Sequence, residues 1–154
     1  MRKLFLGLAI IIGQLMFAQK VVDVKVEGSQ KKDLPAELDK DKIAIYNAQF
    51  IKFITALKSS DRKTMESLLA PKAKELVTDV VYKKLSADID FKKTLVLLKS
   101  GYKSTMDGKV YPMIIYKYSD DQSAAPENIV TAVFENDGKI LGIKPKPKKV
   151  VGVK

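Results

Sequence analysis

The sequence predicts an α+β domain in which N-terminal helices pack on one face of a curved antiparallel meander sheet. Three observations indicate this class. Apolar residues recur at helical spacing in the first half of the chain, they alternate at strand spacing in the second half, and two Asp-Gly pairs there mark hairpin turns. The chain has 154 residues, 46% hydrophobic and 30% charged, which suits one domain rather than two.

The first helix is predicted over residues 39–57, where apolar residues at steps of three and four form one stripe. Asp39 and Asp41 lie in its first turn, where the helix dipole favours anions. Ser59-Ser60-Asp61 then ends this helix and offers a cap to the next one. The stripe consists of Ile43, Tyr46, Phe50, Phe53, Ile54 and Leu57.

A short second helix and a third helix are predicted to follow. The short one carries Met65, Leu68 and Leu69, and Pro71 is placed in the first turn of the third. The predicted core positions of the third helix are Ala73, Leu76, Val77, Val80, Val81 and Leu85. Residues 88–98 fit either a helix or a strand that opens at Thr94.

Two hairpins are predicted around Asp107-Gly108 and Asp137-Gly138. Each pair is interpreted as a two-residue turn with positive φ at both central positions. The first turn joins residues 102–106 to 109–118, and the second joins 129–136 to 139–144. Counting back from the second turn pairs Phe134 with Leu141 and Ala132 with Ile143 on the core face, and leaves Thr131, Glu135 and Lys144 on the other.

The strand 110–118 is apolar on both faces. Ile114 and Tyr116 share one face, and Tyr111, Met113 and Ile115 share the other. Such a strand is central in its sheet, lines a cavity or meets a second subunit, so a homodimer through the sheet face is one option. Pro112 lacks an N–H donor, so that end of the strand cannot be fully paired on both edges.

The N-terminus has the form of a secretory signal peptide. Arg2 and Lys3 precede the uncharged run 4–17, which is too short to be a typical membrane-spanning helix. Cleavage after Ala18 would remove residues 1–18, and the sequence around that position resembles signal peptides of Bacteroidota-type Gram-negative bacteria. The expected location is therefore periplasmic or extracellular, with no transmembrane span after cleavage. The alternative is an uncleaved N-terminal anchor.

Three further segments complete the predicted organisation. Residues 19–35 form an N-terminal strand, with valines at 22, 24 and 26, and a polar linker; residues 36–144 form the α+β domain; and residues 145–154 form a stiff basic tail. The lysines around the tail are candidate contacts for a polyanion, against the alternative of a solvated end. These are Lys144, Lys146, Lys148 and Lys149.

Composition excludes several function classes. The chain has no Cys, His or Trp, which removes disulfides, zinc sites that need Cys or His, and triads built on imidazole. Leader removal would lower the net charge from +10 to +8, with 26 basic residues against 18 acidic ones. Only Arg62 among those 26 is an arginine, so specific nucleic-acid recognition is not expected.

Two segments carry a resemblance to a known family. They are residues 50–61, Phe-Ile-Lys-Phe-Ile-Thr-Ala-Leu-Lys-Ser-Ser-Asp, and residues 65–71, Met-Glu-Ser-Leu-Leu-Ala-Pro. An apolar helix, a small break with Asp and a Leu-Leu-Ala-Pro ending resemble the NTF2-like (cystatin-like) superfamily over residues 39–144. The resemblance implies a cone between sheet and helices that holds a small apolar ligand or is filled as scaffold. Enzymes of that superfamily place Asp, His or Tyr in the cone, but no single catalytic set defines it.

Two constellations are candidates for chemistry. Asp79 and Tyr82 share a helix face and, with Tyr116 and Tyr118, could supply a general base and an oxyanion donor; the alternative is a surface aspartate with core tyrosines. Asp120, Asp121 and Glu127 carry oxygen ligands of the kind calcium uses, although their spacing matches no known ligand frame. No cofactor motif is present in the sequence.

These patterns predict an exported, non-enzymatic binding or accessory domain for a small apolar ligand or an envelope protein partner. One alternative is a small enzyme of the same shape that transfers protons through Asp and Tyr. Another is a structural subunit of a cell-envelope complex.

Overall fold

The computed structural model describes residues 37–146. The predicted signal peptide, its cleavage site, the strand with valines at 22–26, Lys148 and Lys149 lie outside the described residues. The elements in chain order are α1 (Lys40–Lys58), α2 (Arg62–Leu68), α3 (Pro71–Leu76), α4 (Asp79–Asp88), β1 (Leu95–Ser104), β2 (Val110–Tyr118), β3 (Ile129–Phe134) and β4 (Ile140–Lys146).

The second helix begins as the sequence predicts, whereas the first begins at Lys40, so that Asp39 precedes its first turn. The Asp39 carboxylate accepts a hydrogen bond from the Lys42 backbone N–H at 2.9 Å and caps α1. Ser60 adopts φ +57° in the break, and Asp61 caps α2 by accepting from the Thr64 N–H at 3.1 Å. Side-chain acceptors at both starts satisfy backbone donors that have no partner within the helix.

The predicted third helix is wrong as a single element, because it is broken at Val77 and Thr78. Both residues are extended, with ψ of 111° and 171°, and Pro71 stands at the start of the first piece. β-Branched side chains lower helix propensity at this point, and the break resets the helical phase. The core positions of α4 are therefore Tyr82 and Leu85. Three of the predicted core positions are exposed instead: Leu76 at 69%, Val80 at 74% and Val81 at 42%.

Within residues 37–146 the second half is a four-stranded antiparallel sheet in the order β1-β2-β3-β4, which confirms the α+β class and the meander. Residues 88–98 contain the start of β1 at Leu95, so the strand alternative applies there. β2 pairs with β1 from Val110 onward but with β3 only from Met113, which agrees with the expectation for Pro112.

The turn class predicted for the two hairpins is wrong. Gly108 and Gly138 have φ of +77° and +90°, whereas neither Asp107 nor Asp137 has positive φ. The Thr105 N–H donates to the Lys109 carbonyl at 2.8 Å, and the second hairpin repeats this bond between its equivalent residues, so each loop has three residues. The glycine supplies the left-handed position that follows a type I turn and creates a bulge.

This turn class changes the register of the second hairpin. Phe134 pairs with Ile140 and not with Leu141, which is the extra residue of a second bulge further from the turn, whereas Ala132 pairs with Ile143 as predicted. β4 also runs to Lys146 and includes Pro145, so the boundary predicted at Lys144 is too early. β4 is an edge strand, where a proline nitrogen can point away from the neighbouring strand.

One hydrophobic core lies between the helices and one face of the sheet. Alternate residues of β2 and β3 supply the sheet side, and α1 supplies aromatic rings from the helical side. The Ala70 N–H donates to the Ile140 carbonyl at 2.8 Å and ties the link between α2 and α3 to β4. The fully buried sheet residues of this core are Ile114, Tyr116, Val130, Ala132, Phe134 and Ile140.

Candidate functional site

Side chains fill the space between α1 and the middle of the sheet. The Phe50 ring stacks on Tyr116 with centroids 3.9 Å apart, and the Tyr46 ring stacks on Phe134 at 4.9 Å. No charged residue within 37–146 is buried. This part of the molecule therefore has the composition of a core rather than that of a catalytic pocket.

An apolar cleft lies beside this filled region, between the short helices and β4. It has a volume of about 230 Å³, and among residues 37–146 Tyr82 supplies the one polar side chain of its lining. Leu76 and Val81 stand at its rim, where they are 69% and 42% exposed. The lining residues are Phe53, Leu69, Ala73, Leu76, Val77, Val81, Tyr82, Leu85, Ile140, Leu141, Gly142 and Ile143. We call this the apolar cleft.

The break between α3 and α4 accounts for the cleft. A continuous helix would present one stripe to the core, whereas two short helices with different phases leave apolar side chains at their junction. Val77 is half-buried at that junction, and Ala73 and Leu85 form buried walls on either side. The cleft can enclose a short aliphatic group but offers almost no polar group for orienting one.

A second cleft of about 440 Å³ lies on the other side of Tyr82 and is lined in part by Arg62 and Asp79. Arg62 donates from Nε to the Glu66 Oε1 at 2.6 Å and from Nη1 to the Asp79 carboxylate. Its guanidinium lies 4.5 Å from the centroid of the Tyr82 ring. The two carboxylates raise the pKa of Arg62, so it remains a cation in this network. Arg62 thereby connects α2 to α4.

The four residues proposed for proton transfer do not line one cleft. Asp79 and Tyr82 line the second cleft, together with Arg62, whereas neither Tyr116 nor Tyr118 lines it. The Asp79 side chain is 75% exposed. The Tyr118 hydroxyl accepts from the Asp90 N–H at 2.9 Å, and the buried Tyr116 hydroxyl has no partner among the described residues. Burial raises the pKa of both Tyr82 and Tyr116, so both hydroxyls stay protonated at neutral pH.

Two of the three acidic residues proposed for calcium make other contacts. Asp120 pairs with Lys93 at 2.7 Å, and the Asp121 carboxylate accepts from the Ser123 N–H at 3.0 Å. Glu127 is exposed. Over residues 37–146 no three acidic side chains come close enough to hold a metal ion.

The lysines proposed for polyanion contact divide between described and undescribed residues. Lys144 and Lys146 are exposed on edge strand β4, opposite Thr131 and Ile129 of β3. They therefore occupy fixed positions on the sheet.

Sequence reasoning missed both the role of Arg62 and the apolar cleft. The Arg62–Glu66 pair at i and i+4 is visible in the sequence, but the contact with Asp79 depends on how α4 packs. The spacing in the sequence predicts Leu76, Val77 and Val81 on one continuous core stripe. The run of β-branched residues at 77–78 was the available signal for a break.

Comparison with known proteins adds no family to these observations. No protein-family model matches the chain, and no curated protein or solved structure is significantly similar to it. In the described residues 37–146, no helix combines the length and apolarity that crossing a membrane requires.

Proposed function

We propose that the protein is an exported, non-enzymatic binding domain that holds a small apolar ligand in the apolar cleft. The observation that carries this proposal is the composition of the cleft, whose lining is apolar except for Tyr82 and whose rim exposes Leu76 and Val81. Its volume is below the range of about 300–1,000 Å³ that is usual for drug-sized ligands. The cleft therefore suits a small apolar molecule rather than a drug-sized one.

Export is supported by the basic start and the uncharged run of residues 4–17. N-terminal sequencing of the secreted or periplasmic protein should give Gln19 as the first residue. A mature chain that begins at Met1 would contradict this part of the proposal.

The proposed membership of the NTF2-like superfamily is supported by the order of helices followed by a four-stranded meander.

The ligand proposal can be tested with two neighbouring valines of α4. Val81 lines the apolar cleft, whereas Val80 is 74% exposed and does not line it. We expect Val81→Trp to abolish the binding of a neutral apolar fluorophore such as N-phenyl-1-naphthylamine, and Val80→Trp to leave it unchanged. Thermal unfolding of both variants checks that they are folded. Equal affinities of the two variants would exclude the cleft as the site.

A protein partner is the second occupant that the apolar cleft could take, since exposed Leu76 and Val81 could contact apolar side chains of another chain. Native mass spectrometry of the exported protein separates the two cases. A retained small molecule, lost in Val81→Trp, supports the ligand proposal. A retained protein with an empty cleft supports the partner.

The enzyme alternative has one observation in its favour, which is that Asp79 and Tyr82 share a cleft with Arg62. However, the Asp79 carboxylate is bonded to Arg62 and largely exposed, which connects two helices rather than placing a base beside a buried substrate. The alternative of a structural envelope subunit is favoured by the filled space between α1 and the sheet. Apolar fluorophore binding that Val81→Trp removes would favour the ligand proposal over both.

A further inference from the structure

The outer face of the sheet, opposite the helices, has a defined pattern across its strands. Its side chains alternate with the buried residues Ile114, Tyr116, Val130 and Ala132. The pairing joins three rows across all four strands. The rows are Gly101–Met113–Val133–Gly142, Lys99–Ile115–Thr131–Lys144 and Val96–Lys117–Ile129–Lys146, and a shorter row pairs Lys103 with Tyr111.

Apolar side chains occupy the middle strands of this outer face. They remain half-buried, because the described helices pack on the opposite side of the sheet. The glycines at the ends of one row project no side chain over the edges, and a Cβ at Gly142 would meet no atom of residues 37–146 within 4 Å. The apolar members on β2 and β3 are Tyr111, Met113, Ile115, Ile129 and Val133.

Lysines surround this apolar strip. Two lie on edge strand β1, two lie on edge strand β4, and the Lys117 Nζ donates to the Asp121 carbonyl at 2.8 Å. Two acidic residues, Glu127 and Glu135, continue the same alternation beyond the two ends of β3. The five lysines are Lys99, Lys103, Lys117, Lys144 and Lys146.

We infer that this lysine-framed outer face docks on an anionic lipid surface. A second copy of the chain is disfavoured, since a symmetric contact would bring two sets of lysines together. An acidic peptide or a nucleic acid is usually recognised through arginine forks, and the rows contain no arginine. Lysine point charges suit the diffuse negative potential of lipid head groups, and the apolar strip can enter the boundary between head groups and acyl chains.

The experiment measures partition of the full exported chain onto vesicles by co-sedimentation. Phosphatidylglycerol–phosphatidylcholine vesicles are compared with pure phosphatidylcholine vesicles, at 50 mM and 500 mM salt. We expect binding to the anionic vesicles only, with a strong decrease at high salt. The variant Lys99→Gln/Lys144→Gln should lower the partition coefficient about 25-fold, since each lysine near an anionic surface contributes about fivefold.

The matched control is Lys52→Gln/Lys72→Gln, which makes the same change in net charge with two exposed lysines of α1 and α3. This control should retain most of the binding. Met113→Thr, which removes an apolar side chain from the strip and keeps strand propensity, should lower partition several-fold at either salt concentration. The Val81→Trp variant should bind vesicles normally, because the apolar cleft is a separate site.

Three results would overturn the inference. The first is no preference for anionic vesicles. The second is an equal loss in the two lysine pairs, which would assign binding to net charge alone. The third is binding to a soluble acidic polysaccharide such as polygalacturonate without binding to vesicles, which would assign the face to a different polyanion.

Discussion

The middle of the sheet and its β4 edge are covered by helices of different kinds. Over the middle, α1 runs for 19 residues without interruption, and its rings stack directly on the sheet. At the edge, α3 and α4 have 6 and 10 residues and meet at a break, where Leu76 and Val81 remain exposed. An uninterrupted helix keeps one apolar stripe in phase and fills its interface, whereas a broken one leaves a cleft.

The largest expected effect is a difference in the free energy of unfolding that a truncation costs in these two regions. Phe50 is 1% exposed and stacks on Tyr116, so Phe50→Ala should lower the free energy of unfolding by about 3–5 kcal/mol. Leu76→Ala at the cleft rim should change it by about 0.5 kcal/mol or less. Urea denaturation of both variants measures the difference. Similar losses would mean that the edge is packed as tightly as the middle.

The turn glycines also differ between the two hairpins. A Cβ on Gly138 would lie 3.4 Å from Ile45 Cγ2 of α1. A Cβ on Gly108 would meet no atom of the described residues within 4 Å. Asparagine tolerates positive φ better than other side chains do. We therefore expect Gly108→Asn to cost about 1 kcal/mol through backbone strain alone, and Gly138→Asn to cost about 1–3 kcal/mol more through overpacking. Equal thermal unfolding midpoints would show that α1 does not cover this turn.

Two tyrosines on β2 differ in the hydrogen bonding of their hydroxyls. The Tyr116 hydroxyl is buried without a partner among the described residues, and the Tyr118 hydroxyl accepts from the Asp90 N–H. Tyr116→Phe should raise stability by about 1 kcal/mol, because it removes a desolvated group. Tyr118→Phe should lower stability by about 1 kcal/mol, because it leaves a backbone donor without its acceptor. Chemical denaturation that gives the same sign for both would contradict these assignments.

The sequence predicted those features that depend on neighbouring residues. The stripe of α1, Asp41 in its first turn, the cap at Asp61 and Pro71 at the start of α3 are all local, and the structure agrees with them. The Asp-Gly pairs located both hairpins but could not give their turn class. Two-residue and three-residue loops can both contain Asp-Gly, and the bond from Thr105 to Lys109 is what distinguishes them here.

The candidate site depends on packing, so much less of it was predictable. The cleft exists because Val77 and Thr78 interrupt a stripe that reads as continuous in the sequence. The contact of Arg62 with Asp79 joins two helices whose relative placement no periodicity encodes. The outer face required the register of all four strands, which a bulge between Val133 and Phe134 shifts.

The smallest expected effect concerns α2, the first of the short helices. The hydrogen bond from the Thr64 hydroxyl to Asp61, at 2.6 Å, is the main reason that the pKa of Asp61 lies below its ordinary value. The folded protein therefore gains stability from ionised Asp61 above the ordinary aspartate pKa of about 3.9, and loses it as the pH falls through the lower folded value. Thr64→Val should raise the pKa of Asp61 and reduce this acid-dependent loss.

Carboxyl NMR titration of Asp61 measures the shift directly. Thermal unfolding at pH 6 and pH 3 should show a smaller difference in Thr64→Val than in the unchanged chain. Ser67→Ala is the matched control, because its hydroxyl donates to the Thr64 carbonyl at 2.7 Å and not to Asp61. If the pKa of Asp61 is the same in Thr64→Val and in Ser67→Ala, the Thr64 hydroxyl does not stabilise ionised Asp61. The cap of α2 then depends on the hydrogen bond from the Thr64 backbone N–H alone.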